Sequence, residues 1–329
     1  MVMEEVSVVI VTYRRHTELK KCIQSVLKQT LAVKEIVVVN NAPNDESLVS
    51  FLQDIEFSEL LKVLVNKENS LTSGRNLGVK NCSGSFVLLV DDDVELSPNY
   101  VVECLEYMNQ NPSAKGVQGH FSPARRSRLR NLISAAYLDF TVSRNRCRVK
   151  KSISASYPLK PEGVVPCQWL SGSNQFYRAE VLKVIAWDEK LKRYSEGEDL
   201  DHSFRVWRQF KGGLYLLPTA LVYHHESEVG RTGGYELVLM HVGYTYYLSH
   251  KLFPTSIRAR LSYLLNNLGN ILMVCSRAVR RHKQVQGNAE LWSLLRAYKY
   301  LFGIRKNLRV GNLLELNTQL TRLATFTEV

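Results

Sequence analysis

Three consecutive carboxylates, Asp91-Asp92-Asp93, follow the apolar run Phe86–Val90. A run of this kind, rich in Val and Leu, is typical of a strand that is buried on both faces of a parallel sheet. Because ligands bind at the carboxyl ends of such strands, we expect these aspartates at a ligand site. Side chains alternate along a strand, so Asp91 and Asp93 are predicted to point the same way and Asp92 the other. A divalent cation shared with a nucleotide diphosphate would relieve their repulsion; the alternative is a solvated acidic turn.

A second acidic cluster, Glu196-Gly197-Glu198-Asp199-Leu200-Asp201, opens a helix predicted over 198–210. The helix dipole lowers the pKa of a carboxyl group in the first turn, whereas neighbouring carboxylates raise it. The cluster therefore has two interpretations. Its members either stabilise the helix start, or one of them accepts a proton during catalysis.

Alternating strands and helices position the first cluster. Strands are predicted at 6–12, 35–39, 62–65 and 86–90 from their β-branched and apolar content. Helices are predicted at 14–29, around 48–55, at 73–81 and after Ser97-Pro98. The order βαβαβαβα predicts a mostly parallel, doubly wound α/β sheet.

Beyond residue 116 this alternation stops, and short strands are predicted only at 213–217 and 221–224. Gly230–Gly234 indicates a loop, and the chain is helical and basic from Tyr235 onward. Residues 1–234 are therefore predicted to form one domain, with halves at about 1–115 and 116–234. Residues 235–329 are predicted to form a helical C-terminal extension.

The composition is that of a globular protein, with 45% hydrophobic and 22% charged residues, but the net charge is +12. Such an excess indicates an anionic partner: nucleic acid, phospholipid headgroups or a phosphorylated substrate. The six cysteines include no Cys-x-x-Cys pair and are predicted to be reduced. Neither a signal peptide nor an apolar run long enough to span a bilayer is evident, so a cytoplasmic location is expected.

Several motifs, in this order, resemble family 2 glycosyltransferases with the GT-A fold. They are Val8–Tyr13, Val37–Asp45, Asn69–Gly78, Asp91–Asp93, Glu196–Asp201 with Arg205, and Tyr223–His225. The resemblance is greatest to bacterial enzymes of cell-surface polysaccharide assembly, often called rhamnosyltransferase-like. It implies a GT-A, Rossmann-like sheet and an inverting transfer of a hexosyl or deoxyhexosyl group. The donor would be a nucleotide-diphosphate sugar and the acceptor a hydroxyl group.

The resemblance also implies roles for individual residues. Asp199 would be the catalytic base. Mn²⁺ or Mg²⁺ would be bound by Asp91, Asp93 and His224, with His225 as the alternative to His224. The nucleotide sugar would contact Thr12, Asn40, Arg75, Asp91 and Asp92, although a plain salt bridge is the alternative for the arginine. Further candidates for the acceptor site or for a lid over the diphosphate are Glu198, Trp169 and Arg231.

One position departs from the family pattern, because Asn40 stands where most members have Asp. An amide donates as well as accepts hydrogen bonds, so the choice of nucleotide is left open.

Two other functions fit the sequence less well. A sugar-phosphate nucleotidyltransferase would need a glycine-rich, lysine-bearing phosphate loop near the N-terminus, and Val11–His16 contains no glycine. A non-catalytic nucleic-acid-binding protein would interleave aromatic and basic residues, which the arginine runs here do not. No nucleic-acid partner is therefore expected.

The basic runs at 125–151 and 277–309 predict peripheral association with the anionic inner face of a membrane. The apolar stretches 132–142 and 261–274 would enter the interface as amphipathic helices. The alternative is that these helices pack on the α/β domain or in a homo-oligomer. The acceptor is expected to be a saccharide or a lipid-linked molecule.

Overall fold

The four predicted N-terminal strands are present in the computed structural model, which describes residues 5–53, 58–122, 146–225, 233–280 and 285–325. These residues form two units. The described part of the first unit comprises 5–122, 146–149 and 155–225, interrupted at 54–57, and that of the second comprises 150–154 and 233–325, interrupted at 281–284. The predicted lid residue Arg231 and the stretch 132–142 lie outside the described residues.

One sheet organises the described part of the first unit. Its strands are β1 Val6–Thr12, β2 Glu35–Asn40, β3 Leu61–Val65, β4 Phe86–Asp91, β5 Val94–Leu96, β6 Gly116–Phe121, β7 Val165–Cys167, β8 Asn174–Arg178 and β9 Leu214–His224. The strand order is β3-β2-β1-β4-β8-β6-β9-β5, and β7 pairs with β9. Neighbours β3, β2, β1 and β4 are parallel, as are β6 and β9, whereas β8, β5 and β7 pair antiparallel. The mostly parallel sheet confirms the predicted fold class.

Helices cover both faces of this sheet. They are α1 His16–Leu27, α2 Ser47–Gln53, α3 Leu71–Lys80, α4 Tyr100–Gln110, α5 Ala179–Val184 and α6 Glu198–Gln209. Successive residues of a strand point to opposite faces, so Val8 packs in the core that contains α1 and α4, and Val9 in the core that contains α6. This double coverage explains why most residues of β1 and β4 are apolar on both faces.

Two predicted short strands are a single one. β9 runs continuously from Leu214 to His224, and its pairing with β6 shifts register between Gly119 and His120. The shift is a bulge over 218–220, where Pro218 lies, and proline at a bulge removes no ladder hydrogen bond. The continuous strand carries His224 to the carboxyl edge of the sheet.

Close packing brings α3 to the same edge. A β-carbon on Gly78 would lie 2.4 Å from Val9 Cγ1, and one on Gly74 would lie 2.9 Å from Val11 Cγ1. Only glycine permits this approach of the helix to the first strand. The side chain between them in sequence, Arg75, is consequently buried beside the end of β4.

The described residues of 233–325 in the second unit are mainly helical, as predicted for the C-terminal extension. Its helices are α7 Gly234–Leu252, α8 Ile257–Arg280, α9 Val285–Arg309 and α10 Leu314–Thr325. Within the described residues, no helix combines the length and apolar character needed to cross a membrane.

Candidate active site

Four predicted site residues meet at the carboxyl edge of the sheet. Thr12, Asn40, Asp91 and His224 end β1, β2, β4 and β9, which run in one direction. The turn before β8, at 171–173, lies at the same edge, because Asp91 N–H donates to Ser173 O at 3.2 Å. This is the edge at which open α/β sheets bind ligands.

The predicted alternation of the three aspartates is wrong. β4 ends at Asp91, and Asp92 and Asp93 occupy the turn before β5 rather than an extended strand. Arg15 Nη1 contacts both of them, at 2.9 Å from Asp92 Oδ1 and 3.4 Å from Asp93 Oδ2. The chain leaves the extended conformation here because β5 must reverse to pair antiparallel with β9.

Asp92 is held inside the protein. Thr12 Oγ1 donates to Asp92 Oδ2 at 2.8 Å, and burial raises the pKa of Asp92 to about 7, although Arg15 and Thr12 oppose the shift. Thr12 and Asp92 thus bind each other, and their direct contact with a nucleotide sugar stays a prediction. Arg15, which the sequence did not single out, compensates the charge of the aspartates.

Asp93 and His224 form a side-chain pair, with Asp93 Oδ1 2.9 Å from His224 Nε2. The neighbouring His225 instead pairs with the exposed Glu95, at 3.1 Å. The geometry therefore favours His224 over His225 as the metal-ligand candidate. Asp91 is not part of this pair, and no group of three His, Cys, Asp or Glu side chains suited to a metal ion occurs among the described residues.

Arg75 connects several groups of the site. Its side chain is 3% exposed and forms ion pairs with Asp91, at 3.1 Å, and with Glu198. Arg75 Nη2 also donates to Gly172 O at 2.9 Å. The salt-bridge alternative therefore describes Arg75 in this structure, and a contact with phosphate stays a prediction.

Glu198 and Asp199 begin α6 and differ in their surroundings. Glu198 Oε1 accepts from Arg75, whereas buried Oε2 has no hydrogen-bond partner within the described residues. Burial raises the pKa of Glu198 to about 8, with Arg75 opposing and Asp199 adding to the shift. Glu198 is buried against Arg75 in this structure, which does not suit a lid residue, and its role in acceptor binding stays a prediction.

Both carboxylate oxygens of Asp199 are oriented by the backbone. Gly172 N–H donates to Asp199 Oδ2 at 3.1 Å, and Leu200 N–H donates to Oδ1 at 2.7 Å. Burial raises the pKa of Asp199, while these bonds and Arg75 lower it. Each oxygen retains a further lone pair, so the carboxylate can still accept a proton.

The backbone of Gly172, through the two peptide groups that flank its α-carbon, joins Arg75 to Asp199. Its carbonyl accepts from Arg75, and its N–H donates to Asp199. A β-carbon on Gly172 would lie 3.0 Å from both Arg75 Nη2 and Glu198 Oε1, so a side chain here would press on the ion pair. We call the connected set Asp91, Arg75, Gly172 and Asp199 the Arg75 relay.

Asn40 shapes the loop that follows β2. Its Nδ2 donates to Asp45 O at 3.0 Å, and its Oδ1 accepts from Ala42 N–H at 2.9 Å. An aspartate could not make the first of these bonds, which accounts for the amide at this position. Contact of Asn40 with a nucleotide stays a prediction.

Trp169 lies partly buried beside the core that contains α6 rather than on an open surface. Its Nε1 donates to Ser156 O at 2.9 Å, and its ring meets Tyr157 edge-on at 6.3 Å. Arg205 pairs with the buried Asp201 one turn along α6. These contacts do not test whether an acceptor binds here, so the acceptor role of Trp169 stays a prediction.

Residues 7–183 match the model of the family described as glycosyl transferase family 2. The chain is 35% identical over 99 residues to the uncharacterised glycosyltransferase YwdF of Bacillus subtilis, which covers 30% of this chain and 35% of that protein. It is 30% identical over 124 residues to the glucosyl-dolichyl phosphate glucuronosyltransferase of Haloferax volcanii, and this match covers 36% of this chain and 39% of that protein. The chain thus spans well under half the length of these relatives.

Solved structures with similar folds extend over more of the chain. GalNAc-T7, crystallised with UDP, GalNAc and Mn²⁺, has a TM-score of 0.57 and 17% identity, over 81% of this chain and 54% of that one. The mannosyltransferase PcManGT of Pyrobaculum calidifontis, in complex with GDP-Man and Mn²⁺, has a TM-score of 0.53 and 12% identity. The match covers 99% of this chain and 81% of PcManGT. At these identities the likeness establishes the fold alone.

Proposed function

Because the chain belongs to glycosyl transferase family 2, we propose that it transfers a sugar from a nucleotide-diphosphate sugar to an acceptor hydroxyl, with inversion at the anomeric carbon. The observation that supports this proposal is that candidate metal ligands and a candidate base occupy separate positions at the sheet edge. Asp93 and His224 form one pair of candidate ligands, and Asp199 is a separate carboxylate fixed by two backbone N–H groups. Family membership favours this function over nucleotidyl transfer or nucleic-acid binding.

The residues at the edge fit a divalent cation held jointly with the donor. One carboxylate and one imidazole lie 2.9 Å apart, and Mg²⁺ or Mn²⁺ bound to a nucleotide commonly takes one or two protein ligands, with phosphate and water completing the shell. Asp93 and His224 would hold the ion, which would stabilise the negative charge of the departing diphosphate. The structures of GalNAc-T7 and PcManGT, which both contain Mn²⁺ but different nucleotides, support a cation but leave the nucleotide base open.

Asp199 supplies the other half of the chemistry. The acceptor hydroxyl must lose its proton as it attacks the anomeric carbon, and Asp199 would take that proton. The elevated pKa of Asp199 brings it closer to neutral pH, which favours a general base. Direct attack on the donor, with no covalent intermediate, inverts the configuration of the sugar.

A panel of UDP-, GDP- and dTDP-sugars with Mn²⁺ tests this function. A bound donor stabilises the folded protein by mass action, by about 2.7 kcal/mol at a hundredfold excess over Kd. We expect one nucleotide class to raise the melting temperature, and NMR of the product to show the inverted anomer. A product of retained configuration would exclude the mechanism, and the absence of stabilisation by any nucleotide sugar would exclude the donor class.

A metal-dependence experiment exploits the two neighbouring histidine–carboxylate pairs. We expect Asp93→Asn and His224→Asn to lower activity at least ~100-fold, since a main source of electrostatic stabilisation is lost. The variant His225→Asn is the matched control, because it breaks the exposed pair with Glu95 and leaves Asp93 and His224 in place. Mn²⁺-dependent thermal stabilisation by the nucleotide provides a second readout.

The metal proposal makes two further demands. Activity must be lost in excess EDTA and restored by Mn²⁺ or Mg²⁺. Full activity in EDTA, or an equal loss in His225→Asn, would contradict it.

The acceptor and its location complete the proposal. We place the enzyme in cell-surface polysaccharide or glycolipid assembly at the cytoplasmic side of a membrane, with a saccharide or lipid-linked acceptor. The basic charge of the chain, +12 overall, suits an acceptor that carries phosphate.

A further inference from the structure

One face of α8 is apolar and exposed. Its exposed fractions range from 36% to 84% at Ile257, Leu261, Leu264, Leu265, Leu268 and Leu272. The spacings of four, three, one, three and four residues place these side chains on one side of the helix. The other side packs inside the unit through Ala259, Tyr263 and Asn267. The helix is therefore apolar on two faces, and only one of them serves the core.

The neighbouring helix α9 carries a comparable stripe. Trp292, Leu295 and Phe302 are 42–71% exposed, and Lys299 and Lys306 fall on the same face at helical spacing. The opposite face is buried through residues such as Ala297 and Leu301. The two helices contact each other, with Tyr298 OH donating to Asn267 Oδ1 at 2.6 Å.

The charge around these stripes is predominantly positive. Between 233 and 325 the chain has thirteen Lys and Arg and three Glu. Residues 257–289 contain no Asp or Glu, and neither do residues 291–314. An apolar surface surrounded mainly by cationic residues matches a partner that offers both hydrocarbon and negative charge.

We propose that the exposed stripes of α8 and α9 form a docking surface for an anionic lipid bilayer. Leu and Ile side chains would enter the boundary between headgroups and acyl chains. Trp292 and Phe302 suit the interfacial depth at which aromatic rings collect, and lysines extend from such a face to the headgroups. The sequence predicted membrane contact from the basic runs, and the structure assigns it to a defined pair of helix faces.

A second copy of the chain fits this surface less well. A symmetric dimer would bring the same cationic patch against itself, where like charges repel. Lysine is also depleted in protein–protein interfaces. These two properties favour lipid as the occupant.

Vesicle co-sedimentation tests the proposal with the whole chain. We expect binding to phosphatidylcholine vesicles that contain phosphatidylglycerol, weakened by salt, and little binding to phosphatidylcholine alone. Leu264→Gln with Leu268→Gln, and separately Lys299→Gln with Lys306→Gln, should each weaken binding roughly tenfold or more.

Matched controls lie in the first unit. Val65→Gln with Val184→Gln removes two exposed apolar side chains, and Lys67→Gln with Lys183→Gln removes two exposed charges. Both controls should bind as the parent does. The proposal is overturned if the parent chain ignores anionic vesicles, or if the stripe variants bind as well as the controls. It is also overturned if sedimentation velocity shows a dimer that the stripe variants dissociate while vesicle binding is unchanged.

Discussion

Replacement of Asp199 by Asn is expected to lower turnover by about 10²–10⁴-fold, the range that a positioned general base contributes. The amide has nearly the same shape but cannot take the acceptor proton. Donor binding should persist, because the residues proposed to hold the donor lie at the strand ends rather than on α6. The measurement is kcat beside the thermal stabilisation given by the nucleotide sugar.

The adjacent residue provides the control for Asp199→Asn. With a pKa near 8, Glu198 is largely protonated at neutral pH, and Gln reproduces that neutral state. We therefore expect Glu198→Gln to retain most activity below pH 8 and to differ from the parent mainly above it. Near-normal turnover of Asp199→Asn, or an equal loss in Glu198→Gln at pH 7, would remove Asp199 from the role of base.

The raised pKa of Glu198 also predicts how the stability of the protein changes with pH. Its pKa is higher in the folded protein than in the unfolded chain, so its stabilising effect is complete below the unfolded value and is lost as pH rises to about 8. In Glu198→Gln this part of the pH dependence should disappear, giving a flatter profile of melting temperature between the two values.

The sheet edge was predictable from sequence because its signals are local. Apolar runs ending in polar residues marked β1, β2 and β4, and parallel strands necessarily bring Thr12, Asn40 and Asp91 to one edge. The orientation of Asp92 and Asp93 was not predictable in this way. It depends on where β4 ends, and that is decided by the pairing of β5 with β9, more than a hundred residues away.

The contacts of Arg75 and Arg15 lay beyond a sequence argument for a similar reason. Arg75 and Glu198 are 123 positions apart, and nothing local to either residue indicates the other. Arg15 follows Arg14, whose φ of 56° turns the chain sharply before α1, so its contact with Asp92 depends on an uncommon backbone conformation. An arginine usually lies at the surface, and only the fold shows Arg75 buried among carboxylates.

The second large effect is expected at Arg75, which we propose as a positioning residue for Asp199. Arg75→Lys retains the charge but cannot serve Asp91, Glu198 and Gly172 with one planar fork. Released from Arg75, the backbone of Gly172 would no longer hold Asp199 in place. A misplacement of about 1 Å can cost 10²-fold in rate, so we expect a fall of about that size in kcat. Donor-induced stabilisation should change less than kcat.

A double variant separates positioning from folding. Arg75→Met alone removes the hydrogen-bond donor of the buried Glu198 carboxyl group and is expected to destabilise the protein by about 1–3 kcal/mol. In Arg75→Met with Glu198→Met, two apolar side chains of similar volume replace the pair, and most of that stability should return. Turnover should nevertheless stay low.

Arg75 and the Gly172 N–H both lower the pKa of Asp199, so their loss should move the acidic limb of the kcat profile to higher pH. If the double variant regains full turnover along with stability, Arg75 stabilises the fold and does not position Asp199. An acidic limb that stays at the same pH would also contradict the proposal that Arg75 positions Asp199.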